Sequence, residues 1–146
     1  MARFSVYEFE KKGNVSIWVA VVPWDQMPDA YLEERSGRDE DEPFTQFSED
    51  FGFGFFDHDF VDTNGSPGQP EPIERLLGQC SFSSSYPEEA AAEARKRGLE
   101  KAQFVFLLYD IEYQPKMTNA WRSPYMEFLG SFRYDANAPS AILSQG

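Results

Sequence analysis

The sequence predicts an α/β (α+β) fold, with a single sheet of about four to five strands and helices packed on it. Two apolar runs, residues 15–22 (VSIWVAVV) and 103–109 (QFVFLLY), are too short for most helices and are typical of buried strands. Between them, residues 85–98 carry the start and stop signals of a helix. The length of 146 residues suits one domain with one hydrophobic core, which we expect to span residues 1–146.

The first third of the chain is predicted to begin with two strands and a helix. Residues 4–9 alternate weakly between apolar and polar types, which indicates a strand, and residues 11–14 (KKGN) are typical of a turn. The β-branched run 15–22 follows, and Pro23 ends it because proline has no N–H for a strand ladder. Residues 25–35 carry apolar side chains at three-to-four spacing, which predicts a helix.

A polar loop and a short Phe-rich helix are predicted next. Residues 36–42 (SGRDEDE) contain nothing to bury, so they indicate a loop. Phe44, Phe47 and Phe51 recur at three-to-four spacing, which favours one short amphipathic helix. Gly52 is placed to end that helix, because glycine readily adopts the left-handed conformation found just after helix C-termini.

The middle of the chain combines a loop, an undecided segment and a helix. Residues 63–72 (TNGSPGQPEP) hold three prolines and two glycines, which predicts a loop. Residues 73–77 are apolar and fit either a turn of helix or a strand. Ser85 and Glu88 have the spacing of a capping box before an Ala-rich segment, and Gly98 is placed to end the helix.

Two more strands complete the predicted sheet. Residues 103–109 are nearly all apolar, which predicts a central strand covered on both faces, and residues 110–113 extend it. Residues 125–134 (YMEFLGSFRY) alternate and predict the final strand. We expect residues 135–146, with few large apolar groups, to form a frayed tail.

Charge is the strongest global signal about function. The chain has 25 acidic and 13 basic residues, a formal net charge of -12, and nine acids with no Lys or Arg lie between Asp39 and Asp62. Such a surface repels nucleic acid and anionic membranes, whereas it attracts basic partners and speeds their encounter. A second interpretation is that the charge serves solubility alone.

Cysteine usage and hydropathy bear on the compartment. Cys80 is the single cysteine, so the chain has no internal disulfide, and its first residues lack the pattern of an export signal. No apolar run approaches the roughly 20 residues that span a bilayer. We therefore expect a cytoplasmic protein.

The densest group of candidate metal ligands is Asp57, His58, Asp59 and Asp62. These side chain types bind divalent metals, but no second His and no Cys pair supports the site, and the EF-hand spacing is absent. No nucleophile elbow or Gly-rich phosphate loop is present either. We assign no catalytic residue and no cofactor, and a small metal-dependent enzyme or metal-binding protein remains an alternative.

The same segment has the composition of a protein-binding surface, because aromatic side chains supply contact area and acids supply steering and register. The phenylalanines up to Phe51, together with Phe56 and Phe60, are expected in the core. Phe53 and Phe55, next to glycines, are assigned to the surface with the acids. The predicted partner-binding residues are Asp39, Glu40, Asp41, Glu42, Glu49, Asp50, Phe53, Phe55, Asp57, His58, Asp59 and Asp62.

Three stretches together resemble the immunity protein 22 family of bacterial polymorphic toxin systems. VSIWV (15–19) is similar to the family's N-terminal strand motif, with Ala20 where a glycine is usual. FSEDFGFGFFDHDF (47–60) resembles its acidic-Phe-Gly element followed by D-x-D-F, with His58 where an acid is common. Residues 81–113 resemble its Ser-rich helix entry, Gly-containing turn and strand ending in Leu-Tyr-Asp.

The resemblance implies a small cytoplasmic α/β protein that binds and neutralises a cognate toxin, often a nuclease, and it implies no catalytic residues. With the charge, it leads to the hypothesis of an immunity protein that occludes a basic, nuclease-type toxin through an acidic, Phe-rich surface. We expect a monomer or weak dimer that binds neither nucleic acid nor membranes. A general protein-interaction or regulatory domain without a toxin is a further alternative.

Overall fold

The computed structural model describes residues 4–34, 45–54, 56–66, 68–80, 86–135 and 137. A four-stranded antiparallel sheet, with strand order β2-β5-β1-β6, organises them, and β3 and β4 form a separate two-stranded pair. With the helices, this is the mixed α+β class that the sequence predicts. The strands are β1 (Glu10–Ala20), β2 (Val61–Gly65), β3 (Glu71–Pro72), β4 (Lys101–Ala102), β5 (Phe104–Ile111) and β6 (Met126–Arg133).

The two central strands are those that the apolar runs predict. On β1, Val15, Ile17 and Val19 alternate with Trp18, and all four are completely buried. The side chains of β5 alternate in the same way. Because successive side chains of a strand point to opposite faces, each central strand supplies two separate clusters.

The two faces of the sheet differ in chemistry. The cluster on one face, which we call the aliphatic cluster, includes Val15, Ile17, Leu77, Ala90 and Leu107. The cluster on the other face, the aromatic cluster, is built around Trp18, whose ring centroid lies 5.1 Å from those of Phe47 and Phe128. Each fully buried ring of this size stabilises the fold by about 2–3 kcal/mol.

The described part of the chain has four α-helices, and the first three contribute side chains to these two clusters. The helices are α1 (Gln46–Phe51), α2 (Ile73–Leu77), α3 (Pro87–Lys96) and α4 (Pro115–Thr118). Helix α1 confirms the prediction from the Phe spacing, and Gly52 ends it with a φ of 83°. The undecided segment 73–77 is helical, and α3 confirms the predicted helix, with Gly98 following it at a φ of 71°.

Two predictions in the first third of the chain give the wrong type of secondary structure. Residues 4–9 do not form a strand, because Ser5 and Glu8 make a capping box that begins a 3-10 helix at Val6–Phe9. The predicted helix at 25–35 is two short 3-10 helices, Trp24–Gln26 and Asp29–Leu32, separated by Pro28. Proline has no backbone N–H, so a continuous helix through that position is unfavourable.

Two predicted boundaries are also wrong. The turn expected at residues 11–14 lies inside β1, where the register shifts between Glu10 and Val15, and Gly13 with a φ of 84° lies in this irregular stretch. The predicted loop at 63–72 begins in β2, which pairs with β5 from Val61 to Gly65. Several predictions fall outside the described residues: the loop expected at 36–42, Phe44, Ser85, and residues 136 and 138–146 of the expected tail.

Candidate functional site

The predicted partner-binding acids do not lie on one surface. Asp57 and Asp59 are exposed at the 3-10 helix His58–Phe60. Glu49 and Asp50 are half-buried on α1. Asp62 is half-buried on β2; the pKa of Cys80, in the aliphatic cluster, is raised first by burial and then by the negative charge of Asp62. Residues 39–42, Phe55 and the side chain of His58 lie outside the described part of the chain.

The phenylalanines also divide differently from the prediction. Phe47, Phe51 and Phe56 are in the aromatic cluster, as expected. Phe53 is 1% exposed in the same cluster, so its expected position on the surface is wrong, because its ring packs in the core. Phe60, expected in the core, is 43% exposed.

Phe60 takes part in a small depression that we call the aromatic pocket. It has a volume of about 140 Å³ and lies where the ladder between β2 and β5 ends, at Val61 and Leu108. Its apolar floor is Val6, Phe56, Leu108 and Ile111, its exposed aromatic side chains are Tyr7 and Phe60, and its charged edge is Glu10, Lys12, Asp57 and Asp110.

Local hydrogen bonds explain why two aromatic residues face solvent here. The Ser5 Oγ accepts from the Tyr7 N–H in the capping box, and a 3-10 turn then buries Val6 and Phe9 while leaving Tyr7 outside. Across the pocket, the Asp57 Oδ1 accepts from the Asp59 N–H at 2.9 Å. The Phe60 N–H donates to the carbonyl of Asp57 at 3.0 Å, which closes the turn that carries Phe60.

Hydrogen bonds link the chain segments that carry the walls of the aromatic pocket. The Phe4 N–H donates to the Gly52 carbonyl at 3.0 Å, and the Gly54 N–H donates to the Phe4 carbonyl at 3.2 Å. Asp110 has a φ of 61°, a left-handed conformation that aspartate tolerates better than most residues. Its Oδ1 accepts from the Gly13 N–H at 3.0 Å and from the Tyr134 hydroxyl at 2.6 Å, which stabilises this conformation.

A second depression, which we call the acidic groove, has a volume of about 510 Å³. It lies between the 3-10 helix Asp29–Leu32, α1 and the residues that precede β6. Its acidic side chains are Glu33, Glu34 and Asp50, and its remaining lining is Pro28, Ala30, Tyr31, Gln46, Pro124 and Tyr125. None of these described lining residues is Lys or Arg.

Hydrogen bonds at the base of the acidic groove hold its aromatic wall. The Tyr31 hydroxyl and the Ser123 hydroxyl are 2.6 Å apart, and the ring centroids of Tyr31 and Tyr125 are 4.9 Å apart. Burial raises the pKa of Tyr31 well above its ordinary value of 10.0; Asp50 adds to the rise, while the bond to Ser123 opposes it. The Gln46 Nε2 donates to the Asp50 Oδ1 at 2.9 Å, so this carboxylate is oriented within the groove.

The chain segment behind the groove is pinned by an ion-pair network around a buried carboxylate. The side chain of Glu127 is 8% exposed, and it accepts from Arg97 at 2.7 Å and from the Nε of Arg122 at 2.7 Å. Arg97 also donates to the carbonyl of Phe128 at 2.7 Å. Arg97 comes directly after α3, so this network links the helix to the strand that follows Pro124 and Tyr125.

The two depressions lie at opposite ends of the sheet and border the same aromatic cluster. Glu10 and Lys12, which line the aromatic pocket, are near the start of β1. The acidic groove lies near the end of β1, where the Val21 N–H donates to the Tyr125 carbonyl at 2.8 Å. A partner of ordinary size contacts both only if it spans this face of the protein.

Five residues that line the two depressions were not selected from the sequence: Tyr7, Glu10, Asp110, Glu33 and Tyr125. The S-x-x-E spacing of Ser5 and Glu8 was a signal for Tyr7, because a cap there replaces the strand pattern with a turn. The others have no local signal, since their position depends on how distant segments pack.

Other candidate sites gain no support from the structure. In the described part of the chain, no group of three or more His, Cys, Asp or Glu side chains is arranged to hold a metal ion. Burial raises the pKa of the Cys80 thiol to about 12, so at neutral pH it is a protonated and weakly reactive group. Among the described helices, none is long and apolar enough to cross a membrane.

A family model described as Immunity protein 22 matches residues 15–135, which is most of the chain. Comparisons with curated proteins and with solved structures found no match. The family match confirms the resemblance carried by the three sequence stretches. It supports an immunity function in general, implies a toxin partner, and suggests a protein without enzymatic activity of its own. The chain belongs to the Immunity protein 22 family.

Proposed function

We propose that this chain neutralises a cognate, basic, nuclease-type bacterial toxin in the cytoplasm by covering the toxin's cationic surface with the acidic groove and its surroundings. The observation that carries the proposal is the meeting of Glu33, Glu34 and Asp50 in one groove without a lining cation among the described residues. Carboxylates gathered in a concave surface strengthen the local negative potential, which attracts Lys and Arg side chains.

The chemistry of the groove suits a cationic side chain in two ways. The carboxylates supply charge-assisted hydrogen bonds to an ammonium or guanidinium group. The half-buried ring of Tyr125 supplies an aromatic face on which a guanidinium can stack. A toxin arginine that enters this groove is therefore withdrawn from phosphate binding.

The sequence next to the groove adds to its negative charge. Residues 35–44 connect Glu34 to Thr45 and contain four acids, Asp39, Glu40, Asp41 and Glu42, against two arginines, Arg35 and Arg38. We include those four acids in the proposed surface because their segment follows Glu34 and precedes Thr45 in the sequence. A nuclease surface selected to bind phosphate is complementary to such a concentration of carboxylates.

The first experiment asks whether the partner exists. The chain is co-purified with the product of the adjacent upstream gene, and rescue of growth is measured in cells that express that product. We expect a stable complex and rescue. If neither is observed with any neighbouring gene product, the proposed function is wrong.

The second experiment tests the groove with a matched charge reversal. Glu33→Lys should lower the association rate constant by about threefold to tenfold at low salt, because steering depends on local charge. Glu100→Lys makes the same change in net charge at another exposed acid, before β4, and should leave the rate within about twofold of wild type. Equal effects of the two variants, or a rate that does not change with salt, would contradict a role for the groove.

A further inference from the structure

The aromatic pocket exposes apolar surface that the fold itself does not use. The side chains of Tyr7 and Phe60 are 51% and 43% exposed, although they belong to turns fixed by hydrogen bonds. Beside them, the floor residues Phe56 and Leu108 are part of the aromatic cluster. Exposed aromatic groups that border an apolar depression are characteristic of protein-binding sites.

The size of the pocket limits what can enter it. Its volume of about 140 Å³ is close to the roughly 150 Å³ of an apolar cavity that holds one benzene ring. One leucine-sized or phenylalanine-sized side chain therefore fills it. The floor is made of carbon-rich side chains, so a polar group placed there would lose its hydrogen bonds to water without replacement.

The charges at the edge of the pocket indicate the kind of chain that brings this side chain. The carboxylates of Glu10 and Asp57 are exposed at the edge, and Lys12 is its basic group. Asp110 is engaged by the Gly13 N–H and the Tyr134 hydroxyl. A residue next to the inserted side chain therefore finds negative charge available, which favours Lys or Arg.

A second copy of this chain is a poor occupant on electrostatic grounds. Each copy carries a formal net charge of -12, and a symmetric contact through this pocket would place the carboxylates of Glu10 and Asp57 of both copies close together. A basic protein has the opposite charge. The observations therefore favour a cationic protein over self-association.

We propose that the aromatic pocket is an anchor site that takes one large apolar side chain of the toxin, next to a Lys or Arg that pairs with Asp57 or Glu10. This inference rests on the proposed function, since the occupant belongs to the toxin, but it assigns a different surface and a different chemistry from the acidic groove. The hydrogen bonds between its walls pre-form the pocket, so little conformational entropy is lost when the side chain enters.

The test compares exposed aromatic residues of similar accessibility. Binding of the adjacent-gene toxin, in a catalytically inactive form, is measured for Tyr7→Ala, Phe60→Ala and Trp121→Ala. Trp121 is 50% exposed and does not line the aromatic pocket, so it is the matched control for Tyr7. We expect the two pocket variants to weaken binding about tenfold to thirtyfold through faster dissociation, and the control to change it less than about threefold.

Further variants separate loss of the anchor from loss of the fold. Tyr7→Phe keeps the ring and should bind within about threefold of wild type. If Tyr7→Ala unfolds, its binding result is replaced by that of Phe60→Ala and by Phe60→Lys, which introduces repulsion for a cationic partner. Circular dichroism and thermal unfolding check each variant.

The outcomes distinguish this inference from the proposed function. Toxin binding that is weakened by Glu33→Lys but not by the pocket variants overturns the anchor site alone. Absence of binding by the wild-type chain overturns the proposed function and the anchor site with it. A wild-type dimer in sedimentation equilibrium that Phe60→Ala dissociates overturns the assignment to a toxin, because the occupant is then a second copy.

Discussion

The acidic groove and the aromatic pocket border one aromatic cluster but present opposite chemistry at opposite ends of the sheet. The groove has a volume of about 510 Å³ and three carboxylates with no Lys or Arg in its described lining, whereas the pocket has about 140 Å³, an apolar floor and an edge that includes Lys12. The groove is wide enough for polar side chains that keep part of their hydration. In our proposal, the pocket accepts one apolar side chain, which loses its contact with water when it enters.

In our proposals, the two regions therefore have separate roles in toxin binding. Surface charge acts over distance and raises the rate of encounter, so the groove should control association and its salt dependence. Desolvated apolar contacts act only on contact, so the pocket should control dissociation.

One carboxylate supports the structure next to each region: Glu127 behind the groove and Asp110 at the pocket. Replacing Glu127 is expected to have the larger effect on stability. Glu127→Gln leaves Arg97 and Arg122 without their shared charge, and Arg97 is only 22% exposed. Removing one partner of a largely buried ion pair should lower the free energy of unfolding by about 2–4 kcal/mol. Urea denaturation measures it, and the toxin association rate should fall because residues 122–125 lose their support.

The control for this prediction is an exposed ion pair of the same residue types. Glu74 is 52% exposed and lies 3.9 Å from Arg95, so Glu74→Gln should change stability by about 0.5 kcal/mol or less. A Glu127→Gln variant that is as stable as Glu74→Gln would show that the network does not hold the groove.

The sequence predicted the parts of the fold whose signals are local. The strand β5 follows from the apolar run at 103–109, because a short and nearly all-apolar segment is typical of a central strand covered on both faces. The helix α3 follows from Pro87 at its start, its charge distribution and Gly98 after its end. Gly52 ended α1 as expected for the same local reason.

The sites were predicted less well, because their residues are placed by competition between local patterns. Alternation at residues 4–9 suggested a strand. The capping box of Ser5 and Glu8 instead begins a 3-10 helix, which places Tyr7 on the outside. Phe60 was expected in the core by its type, yet the turn begun by Asp57 exposes it. The left-handed conformation of Asp110 depends on pairing with a bulge about 100 residues earlier, at Gly13.

The corresponding prediction for the pocket concerns Asp110, and the expected loss of stability is smaller. Asp110→Ala removes the acceptor for two hydrogen bonds and keeps an unfavourable φ of 61°, so stability should fall by about 2 kcal/mol. Asp110→Gly relieves the backbone and should cost about 1 kcal/mol less than alanine. Asp110→Asn retains an acceptor and tolerates this conformation, so it should be the mildest change.

Urea denaturation gives the order of the three Asp110 variants. If alanine and glycine are equally destabilising, the left-handed backbone is not the source of the effect. If toxin dissociation is accelerated by Asp110→Ala while association is unchanged, the pocket and the groove act separately, as the comparison requires.

The smallest expected effect comes from Cys80, which lies in the aliphatic cluster and therefore reports on neither site directly. Burial raises its pKa from 9.0 to about 12, so its contribution to stability is complete below pH 9 and is lost as the pH rises from 9 towards 12. At pH 9, half of the unfolded thiols are ionised, so the free energy of unfolding of the wild-type chain should be only about 0.4 kcal/mol lower than it is well below pH 9. Urea denaturation of Cys80→Ala, which has no thiol, should not show this part of the decrease.

Thiol labelling of Cys80 at pH 8 distinguishes variants that lose a local contact from variants that lose stability. The native thiol should react only when the aliphatic cluster opens, because it is both buried and protonated. A groove or pocket variant that loses toxin binding while its Cys80 stays protected has lost a local contact. A variant whose Cys80 reacts faster has lost global stability instead. Rapid labelling of the wild-type chain would contradict the burial of Cys80, on which this distinction depends.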